Sequence, residues 1–251
     1  MDRLIELLEN SKHCVFLSGA GVSTLSGIPD FRGKNGIYRK FDADRIFDID
    51  YFRSNPGYFY SHSKDLVYSV SEKEPNIIHH TLAKLEKKGV IKTLITQNID
   101  QLHQKAGSRH VIEIHGSARE NTCLSCGKKF SYEAVAKEVN KDIIPKCDAC
   151  GGLVKPDIIF FGEMLDEEIV LKAVSESSLA DLFVVIGSSL VVQPAASLPL
   201  YSIRNRGKLV IINDMPTPLD GYACLKYDDL EDVFGYIEHH YSDNKQSSSQ
   251  R

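Results

Sequence analysis

The stretch HCVFLSGAGVSTLSGIPDFRG, residues 13–33, decides the fold. Its apolar run at 14–17 leads directly into Gly-Ala-Gly at 19–21, which is typical of a strand that enters a dinucleotide-binding turn. The third glycine of a G-x-G-x-x-G turn belongs at position 24, where this sequence has Thr24. Gly-Ile-Pro at 27–29 then interrupts the helix that normally follows such a turn. The pattern predicts a nucleotide site that begins as in a dehydrogenase and continues differently.

The composition is that of an ordinary globular protein. The chain has 251 residues, of which 42% are hydrophobic and 25% are charged, and its formal net charge is −4. This length favours one large domain, alone or carrying a small one. The mild charge favours neither nucleic acid nor a membrane surface as a partner. The start, MDRLIELLEN, lacks the apolar segment of a signal peptide, and no run approaches the roughly 20 apolar residues that cross a bilayer. We therefore expect a cytoplasmic monomer.

Strand and helix patterns alternate along most of the chain. Apolar runs predict strands at 14–18, 90–96, 111–115, 153–161, 181–187 and 208–213. Helical periodicity occurs at 76–89, 166–180, 195–206 and, with Leu230, Val233, Phe234 and Ile237 on one face, at the end of the chain. Near-continuous apolar strands separated by helices predict an α/β fold with a doubly wound, parallel, Rossmann-like sheet. Cys14 and Cys224 lie in such apolar runs, so we expect small core residues there rather than nucleophiles.

Two segments do not follow this alternation. Residues 34–75 are rich in aromatic residues and helical in pattern, whereas residues 119–152 are polar and contain four of the six cysteines. We expect these two segments to form a small domain, as a helical insertion and a metal module. The Rossmann-like domain is then discontinuous and comprises residues 1–33, 76–118 and 153–241. The polar tail at 242–251 is expected to be disordered.

Four cysteines form two matched pairs, Cys123-x-x-Cys126 and Cys147-x-x-Cys150. A glycine follows each pair and permits the tight turn that points two thiolates at one ion. Four thiolates satisfy a tetrahedral zinc ion and leave no open position, so the predicted site is structural. The alternatives are two redox motifs or disulfides; a cytosolic setting opposes disulfides, and the matched spacing favours zinc.

Polar residues follow several of the predicted strands. Gln97, Asn98 and Asp100 come after the second strand, His115 after the third, Gly-Ser-Ser at 187–189 after another, and Asn213 after the last. Each motif alone also fits a structural histidine, a helix cap or a turn. In open parallel sheets, however, ligands bind beyond the carboxyl ends of the strands. Taken together, these strand ends predict one pocket.

The motifs also occur in the order found in one enzyme family. They are GAGVSTLSGIPDFRG, TQNIDQLHQKAG, His-Gly at 115–116, the paired C-x-x-C, FFGE at 160–163, GSSLVVQPAASLP and IND. From about residue 4 to about residue 238, the chain resembles the sirtuins, NAD-dependent protein deacylases, and it is most similar to compact bacterial members. The resemblance implies a loop over the nicotinamide, here about residues 23–40, which accounts for the interrupted glycine turn.

The implied reaction transfers an acyl group from lysine to ADP-ribose and releases nicotinamide and O-acetyl-ADP-ribose. NAD, one structural zinc ion and acyl-lysine proteins or peptides are the implied cofactors and partners. One alternative uses the same NAD chemistry, namely ADP-ribosyl transfer to protein. A second is a zinc ribbon that binds nucleic acid, but acidic residues offset the lysines of 119–152, which favours a solvated mixed-charge face.

The resemblance further implies roles for individual residues. The pyrophosphate would be held by Gly19, Ala20, Gly21 and Thr24. The nicotinamide and its ribose would be contacted by Ile28, Asp30, Phe31, Gln97, Asn98, Ile99 and Asp100, whereas Arg32 would contact phosphate or fix the loop. The adenosine side would be held by Gly187, Ser188, Ser189 and Asn213, and the substrate peptide by Phe161, Gly162, Glu163, Val191 and Val192. The implied catalytic residues are His115 as the base, Asn98 and Asp100.

The helical insertion also predicts acyl preference. Sirtuins that remove succinyl or malonyl groups carry a Tyr-x-x-Arg pair there. Tyr58, Tyr60 and Tyr68 of this chain have no arginine three residues on. A buried carboxylate without a partner is costly, so we expect short neutral acyl chains to be preferred over acidic ones.

Overall fold

The structure is a computed structural model that describes residues 1–33, 36–37 and 42–243. The strands are β1 (Cys14–Ser18), β2 (Ile91–Thr96), β3 (Val111–Glu113), β4 (Gly116–Cys123), β5 (Lys129–Ser131), β6 (Val154–Ile158), β7 (Leu182–Ile186), β8 (Lys208–Ile212) and β9 (Ala223–Tyr227). The α-helices are α1 (Asp2–Asn10), α2 (Ala43–Ile46), α3 (Ile49–Ser54), α4 (Pro56–Ser63), α5 (Ile77–Lys87), α6 (Leu102–Lys105), α7 (Tyr132–Val139), α8 (Glu167–Leu179), α9 (Leu198–Arg204) and α10 (Leu230–Asp243).

Six parallel strands form the larger sheet, in the order β3-β2-β1-β7-β8-β9. Every residue of β1 and β7 is buried, because helices cover both faces of the sheet. Helices α1, α5 and α10 pack on the face that includes Phe16, whereas α8 and α9 pack on the face that includes Val15. The predicted doubly wound parallel sheet is therefore confirmed. Its strand order reverses between β1 and β7, where such sheets bind their ligands.

A smaller antiparallel sheet has the order β5-β4-β6. Its core is aromatic and is shared with helices α2 to α4 and a π-helical turn at Lys64–Tyr68, so the helical pattern predicted for 34–75 is present where that segment is described. Phe47, Phe52, Phe59 and Phe160 meet in this core, with most ring pairs packed edge to face. The packing joins the helical insertion to the cysteine segment.

The run at 153–161 was expected to join the parallel sheet, and that expectation is wrong. Strand β6 instead pairs antiparallel with β4, with Cys123 opposite Val154 and Gly116 opposite Ile158. Gly116 has φ +74°, and a Cβ there would lie 2.2 Å from the Asp157 carbonyl oxygen. The chain therefore turns out of the large sheet just after His115, and β6 returns beside it.

The structure also tests the burial of Cys14 and Cys224 and shows where the last helix ends. Cys14 is fully buried as expected, but Cys224 is exposed, because β9 is an edge strand whose side chains are only partly covered. Helix α10 runs to Asp243, and residues 244–251 of the predicted tail lie outside the described residues. Within the described part of the chain, no helix has both the length and the apolar character needed to cross a membrane.

Candidate active site

A cavity of about 630 Å³ opens at the carboxyl ends of β1, β2, β7 and β8. This volume lies within the usual range for small-molecule sites. All but one of the predicted nucleotide and peptide residues line it. These are Gly19, Ala20, Gly21, Ile28, Asp30, Phe31, Arg32, Gln97, Asn98, Ile99, Asp100, His115, Phe161, Gly162, Glu163, Gly187, Ser188, Ser189, Val191, Val192 and Asn213. Thr24 is the exception.

Three glycines interlock at the floor of the cavity. A Cβ on Gly19 would lie 2.6 Å from the carbonyl oxygen of Gly187, and a Cβ on Gly187 would lie 2.6 Å from the amide nitrogen of Val22. Gly187 also has φ +57°. The amides of Gly19 and Gly21 donate to the carbonyls of Ile186 and Gly187, each at 2.9 Å. These two glycines therefore allow close approach of the backbone, but their N–H groups are already engaged and do not face a pyrophosphate as expected.

The segment after the glycine turn is a 3-10 helix, Ala20–Ser26, rather than an α-helix. Gly27 ends it in the left-handed conformation, with φ 75°, as the interrupted motif predicts. The Thr24 hydroxyl donates to the Gly21 carbonyl at 2.9 Å and is exposed outside the cavity. Thr24 thus stabilises the turn in this structure and makes no lining contact.

A buried cluster connects the glycine segment to the end of β2. The Asn98 side-chain amide donates to the Gly19 carbonyl at 3.1 Å and to the Ser23 hydroxyl at 3.2 Å. The Ser23 hydroxyl donates in turn to Asp100 at 2.6 Å, and the Leu102 amide donates to the other Asp100 oxygen at 2.9 Å. Burial raises the pKa of Asp100, and these two hydrogen bonds oppose the rise. Sequence reasoning missed Ser23, although it lies inside the glycine motif.

The imidazole of His115 has a defined tautomer. Its Nδ1 lies 3.1 Å from the carbonyl oxygen of Gln97, and a carbonyl can only accept, so Nδ1 carries the proton. Nε2 is then the basic nitrogen. Burial lowers the pKa of His115, with a smaller opposing effect from the Gln97 carbonyl, so the ring is neutral near pH 7. The Gln97 side chain donates to Ser188 at 2.8 Å and ties β2 to the end of β7.

The nicotinamide-side loop is described only in part. The ring of Phe31 packs edge-on against Phe47, with centroids 6.1 Å apart. Asp30 accepts from the amide of Gly33 at 3.0 Å and holds the turn that follows. Residues 34–35 and 38–40 of the predicted loop at 23–40 lie outside the described residues.

The adenosine-side residues follow β7 and β8. Ser188 and Asn213 are almost fully buried. The Asn213 side chain donates to the carbonyl of Met215 at 2.8 Å. Asp214 and Met215 also line the cavity, although the sequence analysis assigned them no role. Their position directly after Asn213, which the sequence predicts to contact a ligand at a strand end, could have identified them.

The predicted peptide groove has an exposed apolar rim. Phe161 and Val191 are 43% and 52% exposed, which is unusual for apolar side chains beside a cavity. Glu163 is held from behind by Lys155, whose Nζ lies 2.8 Å from the carboxylate and 2.7 Å from the carbonyl oxygen of Ile158. Lys155 is 5% exposed, and burial lowers its pKa while Glu163 opposes the shift. The sequence analysis missed Lys155, because a lysine in a strand pattern normally indicates a solvent-facing position.

The four predicted zinc ligands meet in space. The Sγ atoms of Cys123, Cys126, Cys147 and Cys150 all lie within 4.8 Å of one another, with the closest pairs at 3.5 and 3.6 Å. A tetrahedral zinc ion with Zn–S distances of about 2.3 Å requires sulfurs about 3.8 Å apart. Positive φ angles at the glycines that follow each pair form the two turns. The residues therefore fit a closed, structural zinc site.

A parallel sheet whose strands meet at interlocked glycines defines a nucleotide-binding α/β protein, since polar strand-end residues line the cavity there. The four-cysteine module adds a second unit that fits stabilisation by a metal ion. The chain belongs to the Sir2 family, whose model matches residues 19–194. It is 50% identical over 227 residues to an NAD-dependent protein deacetylase of Thermotoga maritima, covering 90% of this chain and 92% of that protein. It is 43% identical to NAD-dependent protein deacylase 2 of Archaeoglobus fulgidus, covering 86% of this chain and 85% of that one.

Solved structures agree with this assignment. A Sir2 complex with a p53 peptide and NAD+ superposes with a TM-score of 0.89 at 45% identity, covering 98% of each chain. A histidine-to-alanine Sir2 variant with a deacetylated p53 peptide and 3′-O-acetyl-ADP-ribose gives a TM-score of 0.90 at 48% identity, covering 95% of this chain and 96% of that one. A complex with a propionylated peptide gives 0.87 at 44% identity, covering 98% of each chain.

Proposed function

We propose that this protein is an NAD-dependent protein-lysine deacylase that transfers the acyl group of an acyl-lysine to ADP-ribose. One observation carries the proposal: His115, neutral and protonated on Nδ1, shares a single cavity with Asp100, Asn98 and the interlocked glycines. The Sir2 family membership and the names of the relatives support it. NAD fits the cavity because the glycines let the backbone approach a ligand closely at the switch point, and buried polar groups surround it.

We further propose roles for the predicted residues that line the cavity. Asp100 accepts from the nicotinamide carboxamide, and Asn98 and Gln97 orient the adjoining ribose. The remaining contacts to NAD are proposed to come from Gly19, Ala20, Gly21, Asp30, Phe31, Arg32, Ile99, Gly187, Ser188, Ser189 and Asn213, but not from Thr24, which lies outside the cavity. The peptide lies along the rim and adds as an extended strand beside Phe161, Gly162, Glu163, Val191 and Val192.

The reaction requires the protein to position the acyl-lysine and to supply a base. NAD supplies the bond between nicotinamide and ribose, whose cleavage drives the transfer. The cavity holds the amide oxygen of the acyl-lysine against that ribose and excludes competing water, since this oxygen is a weak nucleophile and depends on positioning. Nε2 of His115 would then accept a proton from a ribose hydroxyl, so that the hydroxyl oxygen can attack the acyl carbon, and one water molecule would complete the release of free lysine and O-acetyl-ADP-ribose. Zinc bound by the four cysteines is structural and takes no part.

The test is a product analysis. Purified protein is mixed with NAD and an acetyl-lysine peptide, and nicotinamide release and the mass of the second product are followed. Acetyl-ADP-ribose with free lysine is the expected outcome. A protein that carries ADP-ribose, with the peptide unchanged, would instead support ADP-ribosyl transfer. The names of the relatives do not favour that alternative.

Three accompanying expectations stay predictions. These are a cytoplasmic location, a monomeric state and the lack of a specific nucleic-acid partner. Size-exclusion chromatography with light scattering checks the second. A salt-dependent DNA shift assay checks the third, since phosphate contacts weaken steeply with salt.

A further inference from the structure

A buried histidine pair lies next to the strands that form the cavity. His79 on α5 and His103 on α6 are 0% and 1% exposed, and their ring centroids are 4.8 Å apart. Each ring has one hydrogen-bond partner. Each also has one buried nitrogen without a partner, which is Nε2 in His79 and Nδ1 in His103. A buried polar atom that stays unpaired is costly and rare, so these two atoms require an explanation.

The partners of His79 fix its tautomer. Its Nδ1 accepts the backbone N–H of Asn76 at 3.3 Å, as part of the cap of α5. An amide N–H can only donate, so Nδ1 carries no proton in the neutral ring. The unpaired Nε2 is therefore an N–H donor.

His103 has two possible tautomers, and only one of them places an acceptor nitrogen in the ring next to the unpaired Nε2–H donor of His79. Its Nε2 lies 2.8 Å from the hydroxyl oxygen of Ser18, which can donate or accept. If Nδ1 carried the proton, two N–H donors in neighbouring rings would both be buried and unpaired. If Nε2 carries it, Nδ1 of His103 is an acceptor that complements the donor of His79. Burial lowers the pKa of both rings, that of His79 to about 4, which keeps both neutral.

The same direction continues to the cavity. With Nε2–H of His103 donating to Ser18, the Ser18 hydroxyl donates to Thr96 Oγ1 at 2.9 Å. Thr96 Oγ1 also accepts the backbone N–H of Asn98 at 3.0 Å. The hydrogen bonds from His103 to Ser18 and from Ser18 to Thr96 therefore run in the same direction. They end on Thr96 Oγ1, which also holds the backbone of Asn98.

We propose that His103, Ser18 and Thr96 form one hydrogen-bond chain of fixed direction that positions Asn98 for the nucleotide, with the ring of His79 packed against its first member. His103, Ser18 and Thr96 are positioning residues, because they reach the nucleotide only through Asn98. The identity of the nucleotide rests on the proposed function, whereas the direction of the chain does not.

The first experiment measures the tautomers. Protein labelled with 15N-histidine is studied by long-range proton–nitrogen NMR between pH 6 and 8, with His79→Gln and His103→Gln variants used for assignment. Both rings are expected to be neutral and protonated on Nε2 at pH 6. An Nδ1–H tautomer or a cationic ring at pH 6 in either residue overturns the proposal. This readout does not depend on catalysis.

The second experiment separates positioning from packing. Ser18→Ala removes a hydroxyl from the chain, and Ser202→Ala removes a fully buried hydroxyl that donates to the Ala180 carbonyl at 2.8 Å, away from the cavity. We expect similar losses of melting temperature. Only Ser18→Ala should weaken NAD binding in calorimetry and lower kcat/KM for NAD, each by about tenfold, the effect of one misdirected hydrogen bond.

Two variants of Thr96 separate the role of its hydroxyl group from that of its shape. Thr96→Ser keeps the hydroxyl and is expected to bind NAD as the wild type does, whereas Thr96→Val should behave like Ser18→Ala. Equal NAD affinity in Ser18→Ala and Ser202→Ala overturns the proposal. Wild-type protein that binds NAD but deacylates no peptide contradicts the proposed function alone, because the binding comparison still tests the chain.

Discussion

The two sheets of this molecule are held together by different means. In the parallel sheet, β1 and β7 are buried along their whole length between two aliphatic cores. In the small antiparallel sheet, β5 has no buried residue and β4 has three, and the four cysteines lie at its far end. Apolar burial stabilises a sheet roughly in proportion to area, and β4 and β5 bury little, so most of the buried surface of this sheet comes from β6 and the helices packed on it. The first can therefore form from hydrophobic contacts, whereas the second depends on a metal ion and an aromatic cluster.

Zinc removal should break the small sheet and spare the large one. Structural zinc sites in small modules contribute about 10–16 kcal/mol of apparent binding energy, which is coupled to folding. We expect Cys147→Ser to lose zinc, melt earlier and lose deacylation, while circular dichroism still shows the α/β domain. Cys224→Ser, which changes an exposed cysteine outside the cluster, is the control. Zinc-free protein with full stability and turnover would show that the module needs no metal.

His115→Ala tests the large sheet as the place of chemistry. General-base help is typically worth about 10²–10⁴-fold, so deacylation should fall by that amount. Nicotinamide exchange needs orientation but no base, and it should survive better. Asp100→Ala should depress both reactions, since Asp100 positions the nicotinamide. Labelled nicotinamide exchange and lysine release are measured on one preparation. Equal losses with a lowered melting temperature would make His115 a packing residue.

The acyl preference tests whether the helical insertion offers a cation to the cavity. The hydroxyl of Tyr60 donates to the Val154 carbonyl, and that of Tyr68 donates to Asn121 at 2.8 Å, so both tyrosines face the small sheet. Leu66 and Val70 line the cavity instead. An unpaired buried polar group costs about 1–3 kcal/mol, so kcat/KM for a succinyl peptide should be up to about a hundredfold below that for its acetyl counterpart. Faster processing of the succinyl peptide would contradict this.

Lys155 connects the small sheet to the predicted peptide groove, because it lies on β6 and holds Glu163 at the groove. Lys155→Met leaves that carboxylate without its cation, and we expect the KM for peptide to rise about tenfold while the KM for NAD stays constant. Lys129→Met is the matched control, since it removes an exposed ion pair with Asp157 in the same sheet. If the KM for peptide rose equally in both variants, the cause would be a general disturbance of the small sheet and not the loss of the Lys155–Glu163 ion pair.

Mild acid gives the smallest effect and should act on the large domain. The pKa of His79 is about 4 in the folded protein and 6.5 as its ordinary value, because burial disfavours the cation. The unfolded chain binds more protons between these values, so stability is lost as pH falls from 6.5 towards 4. One pH unit below 6.5 should lower the free energy of unfolding by about 1 kcal/mol. Urea unfolding of wild type and His79→Gln at pH 6.5 and 5.5 checks this: the decline should be smaller in the variant by that amount, and equal declines would refute it.

The sequence predicted five of the six parallel strands, because burial on both faces leaves continuous apolar runs, and it assigned no strand to the partly covered β9. The same signal misplaced β6, since an apolar run does not say which sheet it joins. That choice depends on the turn at Gly116, which only the three-dimensional path reveals. The exposed Cys224 has a similar cause, because edge position in a sheet is a property of topology.

The candidate site was predictable where it follows strand ends. His115, Asn98 and Asp100 could be placed at one edge because parallel strands end together. Ser23 could not, because its importance comes from Asp100, a partner 77 residues away in the chain. Lys155 could not, because a lysine in a strand pattern normally indicates a solvent-facing position, whereas this one is buried against Glu163. The glycine motif likewise does not predict that the backbone N–H groups of Gly19 and Gly21 are hydrogen-bonded to carbonyls at the end of β7.

The pairing of β1 with β7 also has a consequence for synthesis on the ribosome. Cys14 lies opposite Leu182, so the central pair of the sheet closes across more than half of the chain. The glycine turn cannot meet Gly187 until β7 has emerged, and Asn213 follows later still. Long-range strand pairing is slow because loop closure precedes the contacts that reward it. A nascent chain therefore carries its cysteine module complete while its nucleotide cavity is only half built, and the cavity is not complete before Asn213 has emerged.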